Sequence, residues 1–393
     1  MFVSNNKARI LHLRASQFVG GPERQILHHA ATAASPEREV WIGSFRDGPI
    51  RPELLQCAEQ MGLSTFELSS GRFDPRTIFE LARRLRHNEI SLLCTHGYKA
   101  NIVGWAASRL TGCPQIAFVR GWTGESWRVQ LYDRLDRLVL RWTDWVVCVS
   151  HAQAKQLREK RKGRHAPVVI ANAALLPREE VNPPIHRLRI RRALGLREDA
   201  FLVCAVGRLS PEKGHRYLLR AIAALVDHIP TLRITFLGEG HERKALENEV
   251  ARLGVQNYVV FAGFKKDIQP WIQACDLLVN PSLTEGVPNV ILEAMALGTP
   301  VVATRVGGVP DLVQDQQCGV LVPPGDPEAL AVAIHDLFQR PTERVRLAQN
   351  ATKQLEEYSP AKQNQRLLEL YARALEGPRS QSANDSVILT VHS

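Results

Sequence analysis

Phe201-Leu202-Val203-Cys204-Ala205-Val206-Gly207-Arg208-Leu209-Ser210-Pro211-Glu212-Lys213-Gly214 is the stretch on which the fold is decided. Its six apolar residues end at a glycine, which predicts a short strand buried on both faces, as in a parallel sheet. A Gly-bounded loop follows, and a helix is predicted after it. Two cations, Arg208 and Lys213, stand five residues apart on that loop. A diphosphate placed there meets two charges plus helix-terminal N–H groups. Charge-assisted hydrogen bonds contribute roughly 1.5–3 kcal/mol each, against ~0.3–1 for a helix dipole alone. The side chains therefore dominate any phosphate binding. An ordinary basic turn has the same composition, so the loop alone leaves both readings open.

Working outward, short apolar runs alternate with helix-length segments along the whole chain. Strands are predicted at 8–13, 39–45, 92–95, 115–119 and 145–149, with helices at 23–34, 77–87, 99–110 and 126–142 between them. The series breaks at 177–194, where Val181-Asn182-Pro183-Pro184 reads as a linker. A second series has strands at 201–206, 233–237, 258–261, 277–280, 300–303 and 320–322. This alternation marks βαβ units. The expectation is α/β: two doubly wound, Rossmann-like parallel-sheet domains facing a cleft, an N-terminal one at 1–180 and a C-terminal one at 190–360. Residues 377–393 are polar and read as a disordered tail. Ligands of such sheets bind beyond the carboxyl ends of the strands.

The bulk numbers agree. A chain of 393 residues with 45% hydrophobic and 23% charged residues fits a globular protein of two or three domains. No run of 18 apolar residues predicts a membrane span, and residues 1–13 lack a signal-peptide pattern. The seven cysteines are scattered, with no C-x-x-C pair, which fits a reducing, cytoplasmic setting. H-E-x-x-H and D-x-D are both absent.

The net charge of +10 is uneven. Residues 1–180 hold 26 Lys and Arg against 17 Asp and Glu, a balance of +9; residues 181–393 hold 24 against 23, a balance of +1. A nucleic-acid face, an anionic membrane surface, an anionic acceptor and a solvated basic surface all remain open.

A second element reads Pro281-Ser282-Leu283-Thr284-Glu285-Gly286-Val287-Pro288-Asn289-Val290-Ile291-Leu292-Glu293. Glu285 lies in the loop after a predicted strand. Pro288 suits a first helical turn, which puts Glu293 more than a turn into the helix. The two acids can meet two sets of hydroxyls, and the Gly286 and Val287 amides can face a phosphate. Gly238-Glu239-Gly240 and Thr304-Arg305-Val306-Gly307-Gly308-Val309-Pro310-Asp311 place further glycines at strand ends, where backbone turns sharply or meets a ligand.

In order and spacing, the blocks GRLSPEKG, FLGEG, VFAGF, WIQACDLLVNPSLTEGVPNVILEAMALGTPVVATRVGGVPDLV and GVLVPPGDPEALA resemble the donor domain of retaining glycosyltransferases of family 4. The resemblance is strong over residues 200–335 and looser before them. Its E-x7-E signature falls on Glu285 and Glu293. It implies a GT-B fold, with a C-terminal helix at 361–376 crossing back to the first domain. It also implies a nucleotide-sugar donor and no metal or other cofactor. Arg208 and Lys213 would neutralise the leaving diphosphate, Glu285 contact the sugar or its phosphate, and Glu293 bind the ribose. Gly207, Gly238 and the Gly263–Phe264 turn would line the donor site. Arg and Lys then supply the charge a divalent cation otherwise would.

In the first half, Gly20 and Gly21 follow the strand at 8–13 and resemble the family's N-terminal glycine loop, facing donor phosphate. His96, at a strand end, corresponds to a donor-sugar or acceptor contact. Arg120 and His151 follow later strands and are acceptor-side candidates. Trp127, Leu131, Leu135, Leu138 and Trp142 share one helical face, read as core packing, with membrane contact as the alternative. The cationic run at 155–165 reads as a solvated face or as a site for anionic lipid.

The function expected is therefore retaining transfer of a sugar to a glycan or lipid-linked acceptor, in exopolysaccharide or lipopolysaccharide synthesis. The enzyme would be cytoplasmic or peripheral at the inner membrane face. A sugar-nucleotide epimerase of like architecture and a non-catalytic sugar-nucleotide-binding protein are the alternatives. A dehydrogenase fails because Gly20-Gly21-Pro22 does not give G-x-G-x-x-G. A nucleic-acid binder leaves the second-half motifs unexplained, so no nucleic-acid partner is expected.

Overall fold

The computed structural model describes residues 7–46, 48–69, 74–120, 127–162, 165–175 and 183–376. The chain forms two compact units. The first comprises Met1–Cys148, Ala154–Ile170 and Ala361–Ser393; the second comprises Val149–Gln153 and Ala171–Pro360. The units part at 170/171, ahead of the break read from the sequence at 177–194. The helix Pro183–Ala193 falls within that break, starting at the two prolines that end the expected linker at 181–184. It belongs to the second unit, where Arg187 and Arg191 both bond Asp276. The tail at 377–393 lies outside the described residues.

The first unit is built on strands β1 (Ala8–Arg14), β2 (Arg38–Phe45), β3 (Ser64–Leu68), β4 (Leu92–His96), β5 (Gln115–Val119), β6 (Trp145–Cys148) and β7 (Val168–Val169). Their order in the sheet is β3-β2-β1-β4-β5-β6-β7, and every pairing is parallel. The second unit holds β8 (Phe201–Val206), β9 (Leu232–Leu237), β10 (Val259–Gly263), β11 (Leu277–Asn280), β12 (Val301–Thr304) and β13 (Val320–Val322). Their order is β10-β9-β8-β11-β12-β13, again all parallel. Helices cover the strands, so a central strand such as β8 is apolar throughout. Leu202, Val203, Cys204 and Ala205 of β8 are all buried.

Helix Pro360–Leu375 adds Leu367, Leu370, Tyr371 and Ala374 to the core made by Ile10, Leu92, Ile116 and Val147 of the first sheet. Helix Trp127–Leu140 contradicts the core reading of its apolar stripe. Leu131 is 48% exposed, and Leu135, Leu138 and Trp142 are each 40% exposed. The buried face carries Asp133, Asp136, Val139 and Leu140 instead. Asn101 Nδ2 donates to Asp136 Oδ1 at 2.9 Å, which satisfies one buried carboxylate oxygen and lets the polar face turn inward.

Candidate active site

In the second sheet the strand order reverses at β8 and β11, the place where open α/β sheets bind ligands. The loop after β8 carries Gly207, Arg208 and Lys213; the loop after β11 carries Glu285. Lys213 ends the short turn Pro211–Lys213, and Gly214 then starts the helix His215–Leu225. Lys213 Nζ donates to Glu285 Oε1 at 2.6 Å. The same oxygen accepts from Ser282 Oγ at 2.7 Å and from Asn280 Nδ2 at 3.4 Å. The backbone joins the loops too, through Leu283 N–H and the Glu212 carbonyl at 2.8 Å. Arg208 keeps its side chain 49% exposed, with Nη2 3.4 Å from Glu212 Oε1. One cation is thus fixed in the loop junction and the other extends toward solvent.

Gly207, Gly238 and Gly263 lie at the ends of adjacent strands. Gly207 N–H donates to the Leu237 carbonyl at 2.9 Å, and Gly238 N–H to that of Gly263 at 3.0 Å. Phe264 beyond them is 68% exposed, an apolar ring on an open surface. Glu293 sits half-buried on helix Asn289–Ala296, more than a turn inside. Gly286 accepts from Gly308 N–H at 2.8 Å. Gly307, at φ +53°, lies against the Glu285 backbone, where a Cβ would collide with the Glu285 carbonyl. Val287 is buried, and its carbonyl accepts from Asn172 Nδ2 at 3.2 Å. Asn172 also bonds Asn289 Oδ1 at 2.9 Å. It supports the Glu285–Glu293 segment, and no local pattern announces it.

His151 was expected in the first domain. It belongs to the second unit, where its N–H donates to Asp311 Oδ2 at 2.8 Å and its ring Nδ1 lies 3.3 Å from the same oxygen.

The first sheet reverses order at β1 and β4. Gly20 precedes the helix Gly21–Ala33, and its N–H donates to Glu23 Oε2 at 3.0 Å. Glu23 is itself buried and pairs with Arg14 Nε at 2.9 Å. A carboxylate therefore already holds the Gly20 amide that the sequence offered to a phosphate. Arg14 Nη1 donates to the His96 carbonyl at 3.2 Å. His96 ends β4 and is buried, stacked on Phe118 with ring centroids 4.4 Å apart. Its nitrogen Nε2 lies 2.9 Å from His12 Nδ1. Burial, chiefly, and the nearby Arg120 charge hold His96 well below the usual histidine range. Arg120, after β5, is lowered to about 10 by burial and by Arg14. Among the described residues no group of three or more His, Cys, Asp or Glu is arranged to hold a metal ion. No described helix is long and apolar enough to cross a membrane.

Comparison with known proteins points one way. The profile described as Glycosyl transferases group 1 matches residues 200–340, and that of the Glycosyl transferase 4-like domain matches 20–173. The D-inositol 3-phosphate glycosyltransferase of Corynebacterium kroppenstedtii is 30% identical over 325 residues, covering 75% of this chain and 70% of that protein. The UDP-Gal:alpha-D-GlcNAc-diphosphoundecaprenol alpha-1,3-galactosyltransferase of Escherichia coli is 24% identical over 343 residues, 84% of this chain and 88% of its own. The crystal structure of Anabaena Alr3699/HepE in complex with UDP-glucose superposes with a TM-score of 0.79 at 26% identity, over 93% of this chain and 99% of that one. The two-sheet architecture is that of the GT-B fold.

Proposed function

Because the chain belongs to the group 1 glycosyl transferases, we propose that it moves a hexose from a uridine diphosphate sugar to a glycan or lipid-linked acceptor. Transfer proceeds with retention of anomeric configuration and needs no metal ion. The Lys213–Glu285 pair beside Arg208, at the mouth of β8 and β11, carries this reading. Arg208 and Lys213 neutralise the departing diphosphate, as the family 4 resemblance implies. Glu285 orients the sugar, and Glu293 holds the ribose. The uridine assignment draws on the Anabaena structure with UDP-glucose and the Escherichia coli enzyme named for UDP-Gal.

Retention has two routes. A double displacement needs a nucleophilic carboxylate on the sugar face opposite the leaving group. Glu285 belongs to the diphosphate side, and its Oε1 is engaged by three donors. Same-face attack is therefore favoured, with a donor phosphate oxygen helping to deprotonate the acceptor. His96 is assigned to a hydroxyl of the transferred sugar, and Arg120 and His151 to the acceptor. Gly21 is assigned to donor phosphate through the start of helix Gly21–Ala33, whose first N–H groups lack intrahelical partners, and Gly20, its own amide held by Glu23, to the turn that leads into that helix.

The reading extends to an acceptor at an anionic, cytoplasmic membrane face. Leu131, Leu135, Leu138 and Trp142 are exposed in a helical stripe, and Phe79 is exposed on the helix that also exposes Arg83, Arg84 and Arg86. Apolar side chains among cations suit an anionic interface.

NMR of the transferred product, made from UDP-glucose in EDTA, is the deciding experiment. The product should keep the donor's anomeric configuration. Inversion, or loss of turnover on chelation, rejects the corresponding half of the proposal.

A further inference from the structure

The loop that carries Arg208 and Lys213 is gripped from inside by a histidine. His215 opens helix His215–Leu225 and is only 2% exposed. Its Nε2 lies 3.2 Å from the Arg208 carbonyl oxygen. A carbonyl oxygen can only accept, so the hydrogen of that bond sits on Nε2 and the ring is the donor. Phe236 of β9 meets the ring edge-on, with centroids 5.3 Å apart, and Phe261 of β10 stacks on Phe236 at 5.2 Å. The donor is therefore backed by the sheet.

This arrangement costs stability. His215 Nδ1 is buried and has no hydrogen-bond partner among the described residues. Burial, first, holds the ring down to about 4, so it is neutral at ordinary pH and brings no third positive charge to the loop. An apolar side chain would fill the same space against Phe236 without an unpartnered nitrogen. What it would lack is the hydrogen on Nε2. A buried side chain that breaks a local rule points to a gain elsewhere.

The gain is at the Arg208 backbone. The Arg208 carbonyl also accepts from Ser210 N–H at 2.9 Å, a bond within the turn. The bond from His215 ties that turn to the helix behind it. The direction of a Cα–Cβ bond follows from the backbone, so holding the carbonyl inward sets where the Arg208 side chain leaves the loop. That side chain is half-exposed. Lys213 is held at its side chain, by Glu285 Oε1 at 2.6 Å. Arg208 is held at its main chain, by His215.

We propose that His215 is a positioning residue for the diphosphate: by holding the Arg208 carbonyl it aims the Arg208 guanidinium at the leaving group. The proposal rests on the assignment of Arg208 to that diphosphate.

A double-mutant cycle on the full-length protein, read by UDP calorimetry, steady-state kinetics and thermal unfolding, tests it. His215→Phe, or the smaller His215→Leu, keeps an apolar side chain against Phe236 and removes the donor. Affinity for UDP and kcat/KM should each fall by about two- to tenfold, the range of one neutral hydrogen bond. His215→Gln, whose amide N–H can reach the same carbonyl, should recover most of both. In an Arg208→Ala background, His215→Phe should have no further effect on UDP affinity. It should still lower the unfolding temperature as much as it does alone, because the carbonyl remains when the guanidinium is gone. A merely structural role gives the same loss of affinity in both backgrounds, and that result overturns the proposal. So do unchanged affinity and kcat/KM in His215→Phe and His215→Leu. Unchanged UDP affinity in Arg208→Ala alone instead removes the diphosphate assignment, and the proposal falls with it.

Discussion

Lys213 and Glu285 meet at 2.6 Å, 72 residues apart in the chain, and their contact fixes one loop of the switch point against the other. The Lys213 side chain is 23% exposed and that of Glu285 only 8%, so the pair is shielded from solvent screening.

Lys213→Ala leaves the Glu285 carboxylate with only neutral hydrogen-bond donors. Stability should fall by about 2 kcal/mol, the cost of orphaning a partly buried charged group. kcat/KM should fall by about 10²–10³, as when one donor to a developing charge is removed. Adding Glu285→Gln to Lys213→Ala should restore stability and leave transfer low. Chemical unfolding and steady-state kinetics separate the two effects; recovery of transfer in the double variant would contradict the assigned role of Lys213.

Gly307→Ala should damage transfer without touching any ligand. Its φ of +53° disfavours a side chain, and the added Cβ would push on the Glu285 carbonyl. Gly298, at φ +68°, has open space around its missing Cβ. Gly298→Ala should therefore cost only the backbone term of about 1 kcal/mol and keep full activity. Equal activities in the two variants would remove the link between Gly307 and Glu285.

Acid should begin to destabilise the protein where free histidines take up protons, before the pH reaches the carboxylate range. His12, His29, His96 and His215 are all depressed chiefly by burial, His215 to about 4 and His29 to about 3. Below about pH 6.5 the unfolded chain binds protons that the folded chain refuses. Stability is thus full above pH 6.5 and falls as pH drops toward 4, by up to ~1.4 kcal/mol per pH unit for each histidine. Urea unfolding at several pH values checks this. A flat profile between pH 7 and 5 would show that these histidines are protonated in the folded protein.

Membrane contact should be peripheral and salt-sensitive. Liposomes with anionic lipid should sediment the protein and neutral ones should not, because each Lys or Arg near such a surface contributes about 1 kcal/mol within a Debye length. Leu135→Glu should weaken binding through the apolar stripe. Equal, negligible sedimentation with both liposome types would leave a soluble acceptor as the better reading.

The central strands were legible because they are buried on both faces, as the apolar run of β8 shows. β3 escaped notice: as an edge strand it alternates partly buried and buried positions, and its residues read Ser-Thr-Phe-Glu-Leu. The stripe on helix Trp127–Leu140 misled because periodicity reports which residues share a face, not which face turns inward. Asn101, meeting Asp136, decided that. Arg208, Lys213, Glu285 and Glu293 were singled out by their order and spacing, and the fold joins Lys213 to Glu285. Asn172 was not, because its partner lies 115 residues away and leaves no local trace.

The C-terminal helix has a consequence for how the chain is made. Synthesis delivers the N-terminal strands first, yet Leu367, Leu370 and Tyr371 complete the core around Ile10, Leu92 and Ile116. On the ribosome the earlier sheet must wait, with an apolar face uncovered, while all of residues 171–360 are translated. The unit begun first is thus finished last. A nascent chain stalled just past Pro360 would hold every residue of the second unit and still expose a sticky first one, the form on which a chaperone would be expected to act.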